Sequence, residues 1–270
     1  MAAINHKNTN TEHMMRNLMK VAAVAAVSLA LTGAAHAQSA LNEILDTGVL
    51  KVGTTGDWNP MSLRDPATNS YKGFDIDIMT ELASDLGVEV EFVPTDWKTL
   101  VNGVVAGKYH MTGSASISPA RMKVAGFSES YISVELFPFT TKEQFNDFDG
   151  YDSINQPGVR VATTLGTTFE KYVREWFPNA DIKVVEAPAR GFQEVLAGRA
   201  DVFITSNIEG STLEAKFPIV RVKNAGPRSP SPIAMLLPQT DQVWINYVNN
   251  WVKVKTAQGF FDANKEKWGL

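Results

Sequence analysis

The segment TTLGTTFEKYV (residues 163–173) combines residue types that could bind an anion or donate a proton. Gly166, Thr167 and Thr168 connect a β-rich stretch to a helix, so their backbone N–H groups can cradle a negative charge. Glu170 follows in the first helical turn, where the helix dipole favours an ionised carboxylate. A buried, neutral Glu170 would instead act as an acid catalyst. The residues alone leave a binding site and a catalytic site open.

A second anion-binding pattern is the segment GSASISPAR, which ends at Arg121. Ser114 and Ser116 can present hydroxyl groups, and the Arg121 guanidinium can bind a carboxylate through two parallel hydrogen bonds. The alternative is a polar strand-to-helix junction with a surface arginine. In the same way, Thr167 and Thr168 could be ordinary helix caps.

Aromatic residues accompany both patterns. Trp58 and Trp97 lie in the turn contexts TGDW and PTDW, and Phe169 adjoins Glu170. Tryptophan commonly packs in the core, but these positions also suit stacking against a ligand. Together the three rings could form an aromatic box for a methylated or delocalised cation.

Composition excludes several function classes. Cysteine is absent, so no disulfide, thiol nucleophile or zinc–thiolate site can form. Beyond the N-terminal segment the only histidine is His110, which we interpret as an ordinary, partly buried side chain. We therefore expect no metal site and no cofactor. The formal net charge of −4 argues against nucleic acid or an anionic membrane surface as a partner.

The N-terminal segment is typical of a secretory signal peptide. Arg16 and Lys20 precede the apolar run VAAVAAVSLALTG, and AHA ending at Ala37 is a typical cleavage site. We expect residues 1–37 to be removed and the mature chain to be a soluble periplasmic protein, with no membrane insertion and a monomeric state.

The hydrophobic pattern predicts two α/β units. Residues 49–116 and 159–205 each read β-α-β-α-β, the pattern of a parallel sheet covered by helices. In the first unit, the second helix is predicted from Trp97 to Gly107. A further strand over residues 233–239 leads into the last helices. Ligand-facing loops lie at the carboxyl ends of parallel strands, which is where both anion-binding patterns occur.

Several segments, in this order, resemble the family 3 extracellular solute-binding proteins, the amino-acid-type receptors of ABC importers. They are GTTGDWNPMS, YKGFDIDIMTELASDLG, ASISPARMKVAGFSESY, LGTTFEKYV and GRADVFITSN. The resemblance implies an α/β, two-lobed, type II periplasmic-binding-protein fold with two Rossmann-like lobes joined by two crossover strands. Residues 38–139 and 233–270 would form one lobe, residues 140–232 the other. The lobes would close by a hinge near Phe139 and Ile233.

The resemblance also implies the ligand contacts. Arg121 would bind a ligand carboxylate, Trp58 would cover it, and the remaining contacts would come from the cleft. These are Trp97, Ser114, Ser116, Gly166, Thr167, Thr168, Phe169, Glu170 and Ser206. The amino-acid receptors hold the α-amino group with an aspartate where this chain has Ser206. We therefore expect a small carboxylate-bearing solute other than a standard α-amino acid, passed to an inner-membrane permease.

Three ligand classes remain open: a keto or hydroxy acid, a dicarboxylate met by Arg190 or Arg228, and a betaine- or ectoine-like solute. Within the family the sequence looks most like the cyclohexadienyl dehydratase branch, in which Glu170 would be the general acid for prephenate or arogenate. Catalysis by Glu170 is therefore the alternative function. We expect Glu170 to be structural or ligand-contacting, because its position favours the ionised form.

Overall fold

Strands and helices alternate along the described part of the chain, which is residues 39–270 of a computed structural model. The predicted signal peptide lies outside the described residues. The elements of the first half are α1 (Ala40–Thr47), β1 (Val49–Thr54), β2 (Asp57–Trp58), β3 (Ser62–Arg64), β4 (Tyr71–Lys72), α2 (Phe74–Leu86), β5 (Glu89–Pro94), α3 (Leu100–Val105), β6 (Met111–Ser116), α4 (Pro119–Met122), β7 (Gly126–Phe127) and β8 (Ile132–Thr141).

The second half repeats the alternation and then returns to the first. Its elements are α5 (Gly150–Ile154), β9 (Arg160–Thr164), α6 (Thr168–Trp176), β10 (Asp181–Val185), α7 (Gly191–Leu196), β11 (Val202–Ser206), α8 (Asn207–Lys216), β12 (Ile219–Arg221), β13 (Arg228–Leu237), α9 (Gln242–Ala257) and α10 (Phe260–Trp268). Within residues 39–270, no helix is both long enough and apolar enough to cross a bilayer.

The two predicted β-α-β-α-β units are confirmed, with one correction. The helix predicted from Trp97 begins only at Leu100. The reason is Asp96, whose side chain accepts the N–H of Thr99 at 2.8 Å and whose carbonyl accepts the N–H of Leu100 at 2.9 Å. These bonds hold the preceding residues in a turn that ends where α3 starts.

The large sheet has the strand order β10-β9-β11-β8-β13-β6-β1-β5. Pairing is parallel on both sides, between β1 and its neighbours and between β9 and its neighbours. The two central strands, β8 and β13, pair antiparallel with each other and with the strands that flank them. The carboxyl ends of β6, β9 and β11 thereby carry the predicted site residues.

The buried apolar residues form separate cores on the two sides of β8 and β13. We call lobe 1 the part with the core around Leu50 and Trp244, and lobe 2 the part with the core around Val161. Phe139 packs with lobe 2, against Phe203 and its neighbours. The lobe limits at residues 139 and 233 stay a prediction.

Lobe 1 and lobe 2 touch beside the cleft that separates them. Lys98 and Glu186 form an ion pair across it, with Nζ and Oε1 3.2 Å apart and both side chains largely exposed. The backbone of Gly166 approaches that of Lys98 so closely that a Cβ on Gly166 would lie 2.5 Å from Lys98 Cα. The structure therefore represents closely apposed lobes, and their apposition requires a glycine at position 166.

Candidate functional site

A cleft with about 470 Å³ of empty space, part of it open to solvent, lies between lobe 1 and lobe 2. Lobe 1 contributes strand ends and the loop before α3, and lobe 2 contributes the start of α6 and the end of β11. The cavity is lined by Asp57, Trp58, Trp97, Ser114, Ser116, Arg121, Thr164, Thr167, Thr168, Phe169, Arg190, Phe203, Ile204, Thr205 and Glu209.

Most of the predicted site residues meet at this cavity. Those that line it are Trp58, Trp97, Ser114, Ser116, Arg121, Thr167, Thr168 and Phe169. Gly166, Glu170 and Ser206 are not among the lining residues. Direct ligand contact by any of them stays a prediction.

Arg121 is a buried cation that reaches the cavity from α4. Ser118 begins this helix by accepting the Arg121 N–H on its hydroxyl, at 3.3 Å. The guanidinium donates to the Ser116 carbonyl at 3.2 Å and, across the cleft, to the Gly166 carbonyl at 3.4 Å. Within residues 39–270 no carboxylate pairs with it, and burial lowers the pKa of Arg121 to about 10. A buried positive charge is energetically costly unless an anion lies beside it.

The start of α6 offers backbone donors to the same cavity. Thr167 is the N-cap, since its hydroxyl accepts the Glu170 N–H at 3.2 Å. The same hydroxyl donates to the Thr164 carbonyl at 2.7 Å. The N–H groups of Thr168 and Phe169 lie in the first helical turn, where intrahelical acceptors are missing. Both interpretations of these threonines are therefore compatible: Thr167 caps the helix, and the turn remains able to bind an anion.

Glu170 turns away from the cavity and is paired locally. Its Oε2 accepts the Gly166 N–H at 3.0 Å, and its Oε1 accepts from Arg174 Nη2 at 2.9 Å. A guanidinium partner and a backbone donor fix the orientation of this carboxylate. This arrangement suits a structural role.

Ser206 also has a local, structural position. It is fully buried at the end of β11 and caps α8 by accepting the Glu209 N–H on its hydroxyl at 3.2 Å. Its importance for the cavity is indirect, because it fixes the first turn of the helix that carries Glu209.

Glu209 and Arg190 form a buried ion pair in the cavity wall that the sequence analysis did not anticipate. Thr205 also donates its hydroxyl to Glu209, at 2.5 Å. Burial raises the pKa of Glu209, and the positive charge of Arg190 opposes that rise. Arg190 was considered only as a partner for a second carboxylate. Glu209 gave no signal, because Ser206-x-x-Glu209 matches an ordinary helix-capping pattern.

Asp57 places a second carboxylate at the cavity, on the lobe 1 side. Its Oδ1 accepts the indole N–H of Trp97 at 2.9 Å. No lysine or arginine within residues 39–270 forms an ion pair with it, and its charge adds to the rise in the Glu209 pKa. The cavity thus combines one cation and one anion that lack charged protein partners.

Three aromatic rings line the same cavity. Trp58 meets Trp97 edge to face with ring centroids 5.9 Å apart, and meets Phe169 in the same way at 6.5 Å. Trp58 is buried, and its indole N–H has no hydrogen-bond partner. The predicted aromatic grouping is therefore present.

Arg228 and His110 lie elsewhere. The Arg228 guanidinium stacks on the Tyr151 ring, 3.5 Å from its centroid. His110 is buried in lobe 1, where Nδ1 accepts the Lys51 N–H at 3.0 Å and Nε2 lies 3.5 Å from a Glu43 oxygen. This confirms its interpretation as an ordinary buried histidine. In the described part of the chain, no three acidic or histidine side chains cluster as metal ligands would.

Comparison with known proteins agrees with this architecture. Residues 50–270 match the bacterial extracellular solute-binding proteins, family 3. Cyclohexadienyl dehydratase of Pseudomonas aeruginosa is 32% identical, over 92% of this chain and 93% of the relative. The L-cystine-binding protein of Escherichia coli strain K12 is 23% identical, over 93% of this chain and 94% of its own length.

A solved structure shows the same fold. An ancestral amino-acid-binding protein, a precursor of cyclohexadienyl dehydratase, superposes with a TM-score of 0.80 and is 36% identical. The match covers 85% of this chain and 99% of that chain. The architecture is therefore the type II periplasmic-binding-protein fold. By sequence and by structure, this chain belongs to the bacterial extracellular solute-binding proteins of family 3.

Proposed function

We propose that the protein is the periplasmic binding component of an amino-acid-type ABC importer and captures a small solute through a carboxylate group. The observation that carries this proposal is Arg121, a buried cation at the cavity whose only acceptors among residues 39–270 are two carbonyl oxygens. A ligand carboxylate would supply the missing negative charge. The hydroxyl groups of Ser114 and Ser116 and the N–H groups at the start of α6 lie around the same space.

The solute also carries a positive group, because the cavity holds a carboxylate without a charged partner. Asp57 faces the cavity and accepts only from Trp97, whereas Arg190 is already paired with Glu209. A dicarboxylate would need a second available cation, and Arg228 is stacked on Tyr151. The arrangement therefore favours a zwitterion over a dicarboxylate.

The zwitterion class includes amino acids as well as betaine- and ectoine-like solutes. The expectation of a nonstandard ligand rested on Ser206, since a serine leaves an ammonium group uncompensated at that position. Asp57 offers a carboxylate from another element, so this objection loses its force. The rings of Trp58 and Trp97 would in addition stabilise an ammonium or methylated cation.

A ligand screen on the mature protein tests this proposal. We expect stabilisation in thermal-shift measurements by a zwitterion from the panel L-arginine, L-lysine, L-glutamine, glycine betaine and ectoine, and none by succinate. A ligand at 100 times its Kd adds about 2.7 kcal/mol to the free energy of unfolding. The substitution Arg121→Ala should weaken binding by about 2–3 kcal/mol, because it removes a charged hydrogen-bond donor.

Arg199→Ala is the matched control, since Arg199 is exposed and paired with Glu194. Its affinity should equal that of the wild type. Unchanged affinity in Arg121→Ala would place the carboxylate anchor elsewhere.

We further propose that lobe 1 and lobe 2 close around the solute. In the described sheet β8 pairs with strands of lobe 2 and β13 with strands of lobe 1, and the two lie side by side from Leu136 paired with Arg228 to Ile132 paired with Ile233. A hinge in this paired segment would separate Lys98 from Glu186 and Arg121 from Gly166. It lies a few residues before Phe139, which belongs to the core of lobe 2.

The glycine at position 166 provides a test of closure. Gly166→Ala should hinder closure, because its Cβ would meet the Lys98 backbone. Gly158→Ala is the matched control: Gly158 also has a positive φ, of 85°, but a Cβ there would meet nothing within 4 Å. Both variants suffer similar backbone strain, about 1–2 kcal/mol.

Small-angle scattering at a saturating concentration of the ligand found in the screen should give a larger radius of gyration for Gly166→Ala than for Gly158→Ala. Equal radii would show that closure does not bring Gly166 against Lys98.

Dehydratase activity is the second candidate function, and the 32% identity to cyclohexadienyl dehydratase favours it. The geometry of Glu170 opposes it. The carboxylate is held by Arg174 and the Gly166 N–H, and it does not line the cavity. Prephenate also bears two carboxylates, for which Arg121 is the one cation at the cavity without a carboxylate partner among residues 39–270.

We expect the mature protein not to convert prephenate to phenylpyruvate, as followed by phenylpyruvate absorbance. Glu170→Gln should bind the screened ligand as the wild type does and lose about 0.5 kcal/mol of stability, the usual contribution of an i,i+4 ion pair. Arg174→Gln removes the same pair from its other side and should lose a similar amount. Turnover that disappears in Glu170→Gln would instead identify Glu170 as a general acid.

A further inference from the structure

Asp75 is a buried carboxyl group directly behind the cavity. It lies in the first turn of α2 with 3% of its surface exposed. It also borders a second cavity of about 300 Å³, which shares Trp97 and Ser114 with the cavity between the lobes. Ser114 is therefore the residue through which Asp75 can influence a ligand.

The hydrogen bonds of Asp75 connect it to Ser114 in two ways. The Ser114 hydroxyl bonds directly to Asp75 Oδ2. Tyr131 donates its hydroxyl to Asp75 Oδ1 at 2.7 Å and accepts the Ser114 N–H at 2.9 Å. Ser114 has a φ of 57°, in the left-handed region, and these bonds hold it there.

No positive charge compensates Asp75. Tyr131 is the titratable group that faces it, and burial keeps that phenol neutral by raising its pKa well above 10. The other neighbours come from β1, the start of β3 and the residue before it, α2 itself and β6, and are uncharged. They include Thr54, Met61, Ser62, Met79 and Gly113. Within residues 39–270 no lysine, arginine or histidine pairs with Asp75. An ionised carboxylate is costly in such a place, so the neutral form is favoured.

We propose that Asp75 is a positioning residue whose proton decides whether the Ser114 hydroxyl can donate to a ligand carboxylate. When Asp75 is protonated, its O–H donates to Ser114 Oγ, and the hydrogen of the Ser114 hydroxyl is free to point into the cavity. When Asp75 is ionised, it accepts that hydrogen, and the cavity is left with serine lone pairs in front of a buried negative charge. The inference rests on the proposed function, because it concerns the carboxylate that Arg121 binds.

Carboxylate binding should therefore be linked to a proton near neutral pH. Burial raises the pKa of Asp75 to about 7, against the opposing effect of the Tyr131 hydrogen bond. A bound carboxylate would raise it further. The affinity for a ligand carboxylate then has its highest value below this pKa. It decreases as the pH rises through the pKa, and Kd increases by up to about tenfold per pH unit.

The test measures Kd by calorimetry at pH 6, 7 and 8 for each of the five probes L-arginine, L-lysine, L-glutamine, glycine betaine and ectoine that binds. We expect Kd to rise with pH in the wild type. In Asp75→Asn, the amide can donate to Ser114 Oγ at every pH. The Kd of this variant should therefore be the same at pH 6, 7 and 8, and close to the Kd that the wild type has at pH 6. Tyr131→Phe removes a bond that favours the ionised form, so its profile should shift to higher pH, an effect that a purely structural role would not produce.

His110→Asn is the control, since His110 is the only histidine among residues 39–270 and histidine ordinarily titrates near neutral pH. The Asn side chain can still accept the Lys51 N–H, and the wild-type profile should persist. Glu209→Gln should keep the pH dependence whatever its effect on affinity.

A ligand-free measurement separates the proton from the ligand. The folded wild type holds a proton that the unfolded chain releases above its ordinary pKa of 3.8, so its stability in urea should fall between about pH 4 and 7 relative to Asp75→Asn. If a probe binds the wild type with the same Kd from pH 6 to 8, the inference about Asp75 is overturned, and the proposed function is not affected. If no probe binds at any pH, the proposed function fails first and the inference fails with it.

Discussion

A guanidinium group buried without a carboxylate partner is the constraint on which the site depends. Arg121 is held by acceptors from both lobes, since the Ser116 carbonyl belongs to its own lobe and the Gly166 carbonyl to the other. Carbonyl dipoles compensate a buried charge only in part. Bringing the lobes together removes water from Arg121 and makes the missing negative charge more costly. In the proposed function, closure and the capture of a carboxylate would therefore be coupled by the same side chain.

The other charged groups of the cavity must be considered together with Arg121. Arg190 and Glu209 neutralise each other within lobe 2, so they add no net charge for a ligand to meet. Asp57 remains as the counterpart of Arg121, and it belongs to lobe 1. The aromatic walls around Trp58 lower the local dielectric constant. They therefore strengthen both the attraction between the cavity charges and opposite charges on a ligand and the repulsion of like charges. A binding site of this kind selects by charge pattern before it selects by shape.

Much of the fold and part of the site could be predicted from the sequence. The hydrophobic periodicity predicts the β-α-β-α-β units. Because parallel strands place their carboxyl ends together, the loops that contain Arg121 and Thr167 could also be predicted to lie at the site. The start of α3 was missed because residues 97–99 share the apolar pattern of the helix but form a turn, which Asp96 holds, before the helix begins at Leu100. Glu209 could not be found by such rules, because its neighbour Arg190 comes from another helix start and only tertiary packing brings them together.

Two glutamates have the same helix-capping sequence pattern but different partners in the structure. Glu170 and Glu209 each stand three residues after a capping hydroxyl, Thr167 and Ser206 respectively. In α6, Arg174 lies one turn further on and draws the carboxylate along the helix surface.

In α8, the corresponding position is Leu213, which offers no charge, and Glu209 turns into the cavity to meet Arg190. The carboxyl group that faces the cavity is thus the one whose ionised form Arg190 stabilises, while the other is directed outward. Burial raises the pKa of Glu209 although Arg190 opposes the rise, so the balance of these two effects decides which form of this carboxyl group faces the cavity. The ion pair with Arg190 keeps Glu209 in the cavity wall, whereas the pair with Arg174 holds Glu170 on its own helix.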